Sequence, residues 1–139
     1  MPIRISIHSE KSRDWIARRS LRNAARAVLL GEGVNDAEIS IAVVDDATSH
    51  RLNQQYLRHD EPTDVITFPL NGPGEPLACE LVINADRAAA EARRRRLPTD
   101  RELALYVIHG LLHLCGYDDR RPSDARAMRR RERHYWRQL

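Results

Sequence analysis

The stretch HGLLHLCGYDD, residues 109–119, decides the fold because it joins an apolar helix to a polar turn. Residues 103–114 are so uniformly apolar that almost no polar face remains, and such a helix is expected to be buried at the centre of the molecule. His109 and His113 are four residues apart, which places both imidazoles on one side of the helix. Gly116 is predicted to end the helix in the left-handed conformation and to reverse the chain.

The turn after Gly116 carries candidate ligands for a metal ion. Asp118 and Asp119 can fold back toward the histidine side of the helix. Two imidazoles and one carboxylate, with a fourth position left open, are the composition of a catalytic zinc site rather than a closed structural one. The pattern therefore favours a metal centre at the end of this helix.

A chain with six histidines also contains such a pair by chance with appreciable frequency. In the alternative interpretation each histidine is a core residue bonded to a backbone carbonyl. That arrangement leaves two desolvated imidazoles side by side in an apolar helix, whereas ligation of a metal satisfies both. The spacing alone leaves both interpretations open.

Gly110 stands in the middle of the same helix, where a glycine costs roughly 1 kcal/mol against alanine. A glycine at such a position indicates close approach of another group, or access for a substrate.

The central stretch resembles the HGxLHLxGYDH signature of the YbeY family, bacterial metal-dependent endoribonucleases of ribosomal RNA maturation. Every fixed position agrees except the last, where Asp119 replaces the third histidine of the family. A second stretch, YLRHDEPTDVITFP at residues 56–69, is similar to the family segment YRxxDxPTDVLSFP. The matching residues of this second stretch are Asp60, Pro62, Thr63, Asp64, Val65, Phe68 and Pro69.

The resemblance implies an α+β fold in which residues 1–139 form one YbeY-like hydrolase domain. It implies a mixed four-stranded sheet flanked by about five helices, with a metal at the end of a central buried helix. It also implies that His109, His113 and Asp119 hold one zinc ion, or another divalent metal, that activates water for attack on an RNA phosphodiester.

Other residues are candidates for roles in the reaction. The family arginine that follows the tyrosine corresponds to Leu57, and Arg58, displaced by one position and so by about 100 degrees on a helix, is the expected phosphate clamp. Gly110 stands where the zinc protease motif HExxH has its glutamate, which argues against peptide hydrolysis. Three carboxylates are candidate general bases: Asp64, Asp118 and Glu80.

The function implied is a single-strand-specific endoribonuclease acting at the 3′ end of small-subunit ribosomal RNA and in ribosome quality control. Its expected partners are ribosomal RNA, the small ribosomal subunit and associated assembly factors. The alternative is a non-catalytic ribosome assembly factor with a structural zinc site, in which Cys115 or His134 would close the fourth position. A third possibility is hydrolysis of a small phosphoester without any preference for RNA.

Length and composition agree with one domain, since 139 residues with 42% hydrophobic content can bury a single core. No apolar run reaches the ~18 residues of a membrane span, and no charged segment followed by an apolar one opens the chain, so we expect a cytoplasmic protein with no membrane partner. Lys11 is the sole lysine among 23 basic residues. Arginine binds phosphate oxygens through two parallel hydrogen bonds and therefore suits an RNA ligand. A genome biased toward arginine codons would give the same composition without such a function.

Periodicity predicts strands at residues 2–8, 38–44, 65–68 and 77–84, the first at a sheet edge and the second covered on both faces. Five helices are predicted between and after them. The expected caps are Ser12 or Asp14 for the first helix, Thr99 or Asp100 for the fourth and Ser123 for the last, while Asp45 and Asp46 are expected to open the second helix and Asp86 to start the third. Leu52, Tyr56 and Leu57 of the second helix are expected to face the core. The arginine runs at residues 93–96 and 129–131 are expected to be solvated, because consecutive helical residues spread around the axis. The alternative is a contact with RNA, which is favoured if both runs lie on the metal-site side of the molecule.

Overall fold

The computed structural model describes residues 2–10, 16–59, 61 and 63–139. Within these ranges the elements follow in the order β1 (Ile3–Ser9), α1 (Arg18–Gly31), β2 (Ala37–Val44), α2 (Asp46–Leu57), β3 (Val65–Pro69), β4 (Leu77–Asn84), α3 (Ala85–Arg95), α4 (Thr99–Leu114) and α5 (Pro122–Trp136). The predicted α+β fold, a mixed four-stranded sheet with five helices, is confirmed.

The sheet has the strand order β1-β2-β4-β3. β1 pairs with β2 and β2 with β4 in parallel, whereas β3 runs antiparallel to β4. β1 lies at an edge, as its alternating pattern predicts. β3 forms the other edge, so residues on it and next to it reach the rim of the sheet.

The two faces of the sheet are unequally covered. Alternate residues of β2 and β4 belong to one large core cluster with α1 and α4, and they are fully buried: Ile39, Ile41, Leu81 and Ile83. The opposite face carries a small cluster of Val44, Ile66 and Val82, against which Leu52 of α2 packs. The expectation that β2 is covered on both faces is wrong for its first half, because Glu38 is exposed there.

α4 is the central helix, and most of its residues are buried. It approaches the sheet at Gly110, where an added Cβ would lie 2.8 Å from Leu81 Cδ2, 3.1 Å from Thr67 Oγ1 and 3.2 Å from Val65 Cγ2. The close approach that the mid-helix glycine indicates is therefore packing of α4 against β3 and β4.

The predicted caps of α4 and α5 are wrong, and at α4 a tertiary contact engages the side chain of Asp100. α4 begins after Pro98, and the carboxylate of Asp100 accepts a hydrogen bond from Ala17 N–H at the start of α1, 3.1 Å away. α3 is capped by Asn84, which accepts from the amides of Asp86 and Arg87. α5 begins after Arg121, not at Ser123. The caps predicted for α1, Ser12 and Asp14, lie outside the described residues.

α2 confirms one cap and corrects the expectation for its other end. Asp45 accepts from Thr48 N–H at 2.9 Å, as a helix cap should. Tyr56 and Leu57, however, are 58% and 47% exposed, because the helix extends beyond the small apolar cluster. Tyr56 instead contacts Phe68 of β3 edge to face, with ring centroids 5.5 Å apart.

Among the helices of the described ranges, none combines the length and the apolar character that crossing a membrane requires.

Candidate metal centre

The C-terminus of α4 has the geometry that reverses the chain. Gly116 adopts φ +105, its N–H donates to the carbonyl of His113 at 3.1 Å, and Tyr117 N–H donates to the carbonyl of Leu112 at 3.0 Å. This pair of hydrogen bonds is the Schellman motif, which satisfies the last carbonyls of a helix. The predicted left-handed glycine is confirmed, and the residues after it turn back toward His109 and His113.

Each histidine is held through its Nδ1 atom. Nδ1 of His113 lies 3.0 Å from the carbonyl oxygen of Tyr117. Nδ1 of His109 bonds the carboxylate of Glu132, on α5. The Nε2 atoms of the two rings lie 3.1 Å from each other. The two rings therefore converge on one point through the same type of nitrogen.

The protonation of these rings tests whether the site fits a metal. A carbonyl or ionised carboxylate oxygen only accepts, so Nδ1 of both His109 and His113 donates, and a ring in the neutral form then presents a lone pair at Nε2. Two lone pairs that face each other repel unless a proton or a metal cation lies between them. Nitrogen ligands on one tetrahedral zinc ion at ~2.0–2.1 Å are about 3.3 Å apart, close to the observed separation. The histidines fit a divalent ion.

Asp119 joins this pair. Ligand atoms of His109, His113 and Asp119 all lie within 4.8 Å of one another. The histidines are half-buried and Asp119 is exposed, so the group is open on the side of the carboxylate. Three protein ligands with an open side are the arrangement of a catalytic metal site rather than a structural one.

Other sequence candidates for ligation lie apart from the group in the described part of the chain. The carboxylate of Asp118 accepts from Arg120 N–H at 3.2 Å. Burial raises the pKa of the Cys115 thiol, with a smaller contribution from the charge of Glu32, which favours the neutral thiol over a thiolate ligand. His134 is exposed and lies 3.2 Å from the side chain of Gln138. Each of these residues therefore has a different local role.

Glu132 is a functional candidate that the sequence analysis missed. Its side chain is 16% exposed, and the imidazole that it holds, His109, is 32% exposed. The two residues are 23 positions apart, and no spacing rule links them. A signal was nevertheless available, because Glu132 is four residues after Met128 and three before Tyr135, both buried, and so lies on the inner face of α5.

The candidate bases differ in their position relative to the histidines. Asp64 lines a cavity of about 200 Å³ that His109 and Glu132 also line, and Arg87 Nε lies 3.2 Å from its carboxylate. Glu80 points to the opposite face of the sheet, because its neighbour in sequence, Leu81, is the residue that contacts α4. Asp64 is therefore the candidate that shares space with the metal group.

Arg58 ends α2 in the left-handed conformation, with φ 58, and is exposed. α2 packs on the face of the sheet that α4 does not cover, but it reaches the edge strand β3 through the contact of Tyr56 with Phe68. Arg58 therefore lies near the edge that borders the site, on the other face. Its role as phosphate clamp stays a prediction.

Two cavities flank the histidine pair along β3. One is the cavity of Asp64 and Glu132. The second, of about 430 Å³, lies beside His113 at the far end of the strand. Its lining residues are Thr67, Pro69, Asn71, Leu77, His113 and Leu114. An extended substrate can lie along this edge with its middle at the histidines.

Fold and site together define an α+β protein whose central helix presents an open-sided group of two imidazoles and one carboxylate beside an edge strand. The family described as Endoribonuclease YbeY matches residues 4–139. A relative named Endoribonuclease YbeY, from Anaeromyxobacter sp. (strain Fw109-5), is 46% identical over 134 residues, which cover 95% of this chain and 69% of the relative. One of the same name from Syntrophotalea carbinolica is 38% identical over 135 residues, covering 92% and 90%.

A solved structure agrees with this match. The solution structure of TM1509 from Thermotoga maritima is similar with a TM-score of 0.64 at 27% identity, covering 96% of this chain and 86% of that one. The chain belongs to the Endoribonuclease YbeY family. The family membership that the two sequence motifs indicate is thereby confirmed.

Proposed function

We propose that this chain is a metal-dependent endoribonuclease that cleaves single-stranded ribosomal RNA, at the 3′ end of the small-subunit RNA and in ribosome quality control. The observation that carries the proposal is the convergence of two imidazole Nε2 atoms, 3.1 Å apart, beside an exposed carboxylate in a member of this family. The small ribosomal subunit and its assembly factors are the proposed partners. A cytoplasmic location is part of the proposal, because it follows from that substrate.

The protein residues prepare the site for one divalent ion. Glu132 and the carbonyl of Tyr117 hold the two rings with Nε2 free, and Asp119 adds a negative oxygen on the open side. Zinc is the proposed ion because nitrogen and carboxylate donors suit it, and the carboxylate also accepts manganese. When bound, such an ion lowers the pKa of a water molecule and offsets negative charge on the phosphate.

Two further residues are assigned within this proposal. Asp64 is the proposed general base, since it lines the cavity beside His109, which Asp118 does not line. Arg58 is the proposed phosphate clamp. It is exposed at the end of α2, from which it can contact a strand that passes the sheet edge.

The second candidate is a non-catalytic assembly factor whose metal is structural. A structural zinc site closes with four protein ligands, and within the described residues the group comprises three. The open side therefore favours the enzyme. Hydrolysis of a small phosphoester, the third possibility, predicts activity on a generic diester without any preference for RNA.

Purified protein tests these alternatives when metal content and RNA cleavage are measured together. His109→Ala and His113→Ala should each lose bound metal and cleavage, because two remaining ligands give little chelate stabilisation. Wild-type protein treated with a chelator should lose cleavage and recover it with zinc. His8→Ala is the matched control, since it removes an exposed histidine of β1 that bonds Ser40 and lies outside the group. Stoichiometric metal in both His109→Ala and His113→Ala would refute the site, and full metal without cleavage would favour the assembly factor.

A further inference from the structure

The outer face of α5 carries a line of four arginines: Arg126, Arg130, Arg133 and Arg137, called the arginine stripe below. All four are exposed. Their spacing of four, three and four residues keeps them on one side of the helix, over a length of about 16 Å at 1.5 Å per residue. Arg137 follows the last helical residue and retains right-handed helical angles, φ −67 and ψ −21.

The stripe was not evident in the sequence because the consecutive run at residues 129–131 conceals it. That run divides in the structure. Arg131 points inward, 2.5 Å from the carboxylate of Glu32, whereas Arg130 points outward. The members of the stripe come from different parts of α5 and become neighbours only on the helix surface.

Some arginines elsewhere are paired with carboxylates, whereas the members of the stripe are not. On α3, Arg94 lies 2.6 Å from Glu91 and Arg95 lies 3.2 Å from Glu102. Within the described ranges, by contrast, no carboxylate pairs with a member of the stripe, and no residue three or four positions away from a member on α5 is acidic. Like charges at this spacing repel and destabilise a helix. The stripe therefore has an unfavourable charge that an extended anion would relieve.

The chemistry of this face selects the type of anion. The cavity along it, of about 660 Å³, is lined only by polar residues: Arg130, Arg133, His134, Arg137 and Gln138. A membrane-binding helix needs apolar side chains to insert, and this face has none. Binding to unpaired bases uses aromatic platforms. Trp136 is engaged elsewhere, because its Nε1–H donates to the carbonyl of Arg101 and its ring lies under that guanidinium.

A double-helical RNA segment fits these requirements, since its phosphates are regularly spaced and it is recognised through its backbone and shape. The stripe is also continuous with the metal centre. Arg133 follows Glu132, the residue that holds His109, and both line a cavity of about 160 Å³ with Arg95 and Arg129. The stripe thus reaches, through Arg133, the cavity of the residue that holds His109.

We propose that the arginine stripe binds the phosphate backbone of a double-helical RNA segment and so holds an adjoining single strand at the metal centre. The second part rests on the proposed function; the binding itself does not.

The test compares two triple variants that remove the same charge. One changes Arg126, Arg130 and Arg133 to glutamine, on α5. The control changes Arg19, Arg22 and Arg26 to glutamine, three exposed arginines at similar spacing on α1. Glutamine keeps a helix propensity close to that of arginine, so both variants should fold, which circular dichroism checks.

The probe is a fluorescent RNA hairpin with a single-stranded tail, and its binding is measured across a salt series with chelator present. The α5 variant should bind more weakly, with a log–log salt dependence smaller by about three because three phosphate contacts are lost. The α1 variant should bind as wild type does. If both variants lose affinity for the hairpin equally, or if the α5 variant loses none, the proposal that the arginine stripe binds RNA is refuted.

Two further probes distinguish duplex RNA from the other possible ligands of the arginine stripe. A single-stranded RNA of equal length should lose less affinity than the hairpin, and an equal loss would overturn the assignment to a duplex. Vesicles containing anionic lipid should bind neither protein strongly, and vesicle binding lost only in the α5 variant would assign the stripe to a membrane. Because chelator is present throughout, the binding result stands even if the wild-type protein fails to cleave RNA, and that failure would refute the proposed function alone.

Discussion

Replacing Glu132 tests whether the carboxylate behind His109 prepares the metal centre. Loss of a residue that orients a metal-ligating histidine reduces metal affinity by about 10- to 100-fold, equivalent to about 1.4–2.7 kcal/mol. The bond is shielded from water, because the Glu132 side chain is 16% exposed. Glu132→Ala removes the hydrogen-bond acceptor and frees the His109 ring, so we expect zinc affinity to fall by about 100-fold, the upper limit of this range. Glu132→Gln keeps an oxygen acceptor but not the charge, so we expect zinc affinity to fall by about 10-fold, the lower limit of the range.

The assay is zinc competition with a calibrated chelator, combined with nitrogen NMR of the imidazoles in metal-free protein. In wild-type protein His109 should carry its proton on Nδ1, and in Glu132→Ala part of the population should carry it on Nε2. Glu91→Gln on α3 is the matched control, since that carboxylate pairs with arginines away from the histidines. Unchanged zinc affinity and an unchanged proton position in Glu132→Ala would refute the reasoning, because a purely structural contact alters neither.

Three further predictions concern the site and its support. Asp119→Ala should bind zinc much more weakly than wild type, and Asp119→Asn should have an intermediate affinity, while Asp119→His should retain zinc. If Asp119→Ala binds zinc with wild-type affinity, Asp119 is not a ligand and Asp118 becomes the candidate. Gly110→Ala should lower the free energy of unfolding in urea, because a Cβ 2.8 Å from Leu81 Cδ2 adds overpacking of about 1–3 kcal/mol against a helix-propensity gain of about 1 kcal/mol. Arg58→Ala should slow RNA cleavage at unchanged metal content, with partial recovery in Arg58→Lys, and a wild-type rate would exclude the clamp.

The strands were predictable because their signal is local. Alternation identified β1, and the predicted bounds of β4, residues 77–84, agree with those observed, Leu77–Asn84. Helix starts were less predictable, since a cap depends on what else the side chain can bond. Asp100 is an acceptable cap for α4 by residue type, yet it bonds Ala17, 83 positions away. The hydrogen bond between Asp100 and Ala17 can form only after packing of the core has placed α1 beside α4.

The same distinction applies to the metal centre. His109 and His113 were predictable because one helix carries both at a fixed spacing. The position of Asp119 required the Schellman turn at Gly116, which the glycine itself signals. Glu132 belongs to another helix and stands within an arginine-rich run, where a carboxylate ordinarily pairs with its neighbours. Its contact with His109 follows from the docking of α5 against α4, which no local pattern specifies.

Docking of α5 depends on a second carboxylate, Glu32, which caps the end of α1. Its side chain is 11% exposed and accepts hydrogen bonds from Tyr135 and from Arg131. Burial alone would raise the pKa of Glu32, but hydrogen bonds from Tyr135, Arg131 and Tyr117 outweigh burial, and the pKa is lowered.

A lowered pKa in the folded state means that the ionised carboxylate stabilises the fold fully above the unfolded pKa, near ~4.3. This stabilisation is lost as the pH falls through the lower, folded value. Glu32→Gln should therefore reduce the free energy of unfolding at pH 7 by about 1–3 kcal/mol, since it weakens hydrogen bonds to a charged group. The difference from wild type should shrink in acid. Because α5 also supplies Glu132, zinc affinity at pH 7 should fall in the same variant. A pH-independent difference in urea unfolding between Glu32→Gln and wild type would contradict this account of how α5 is held.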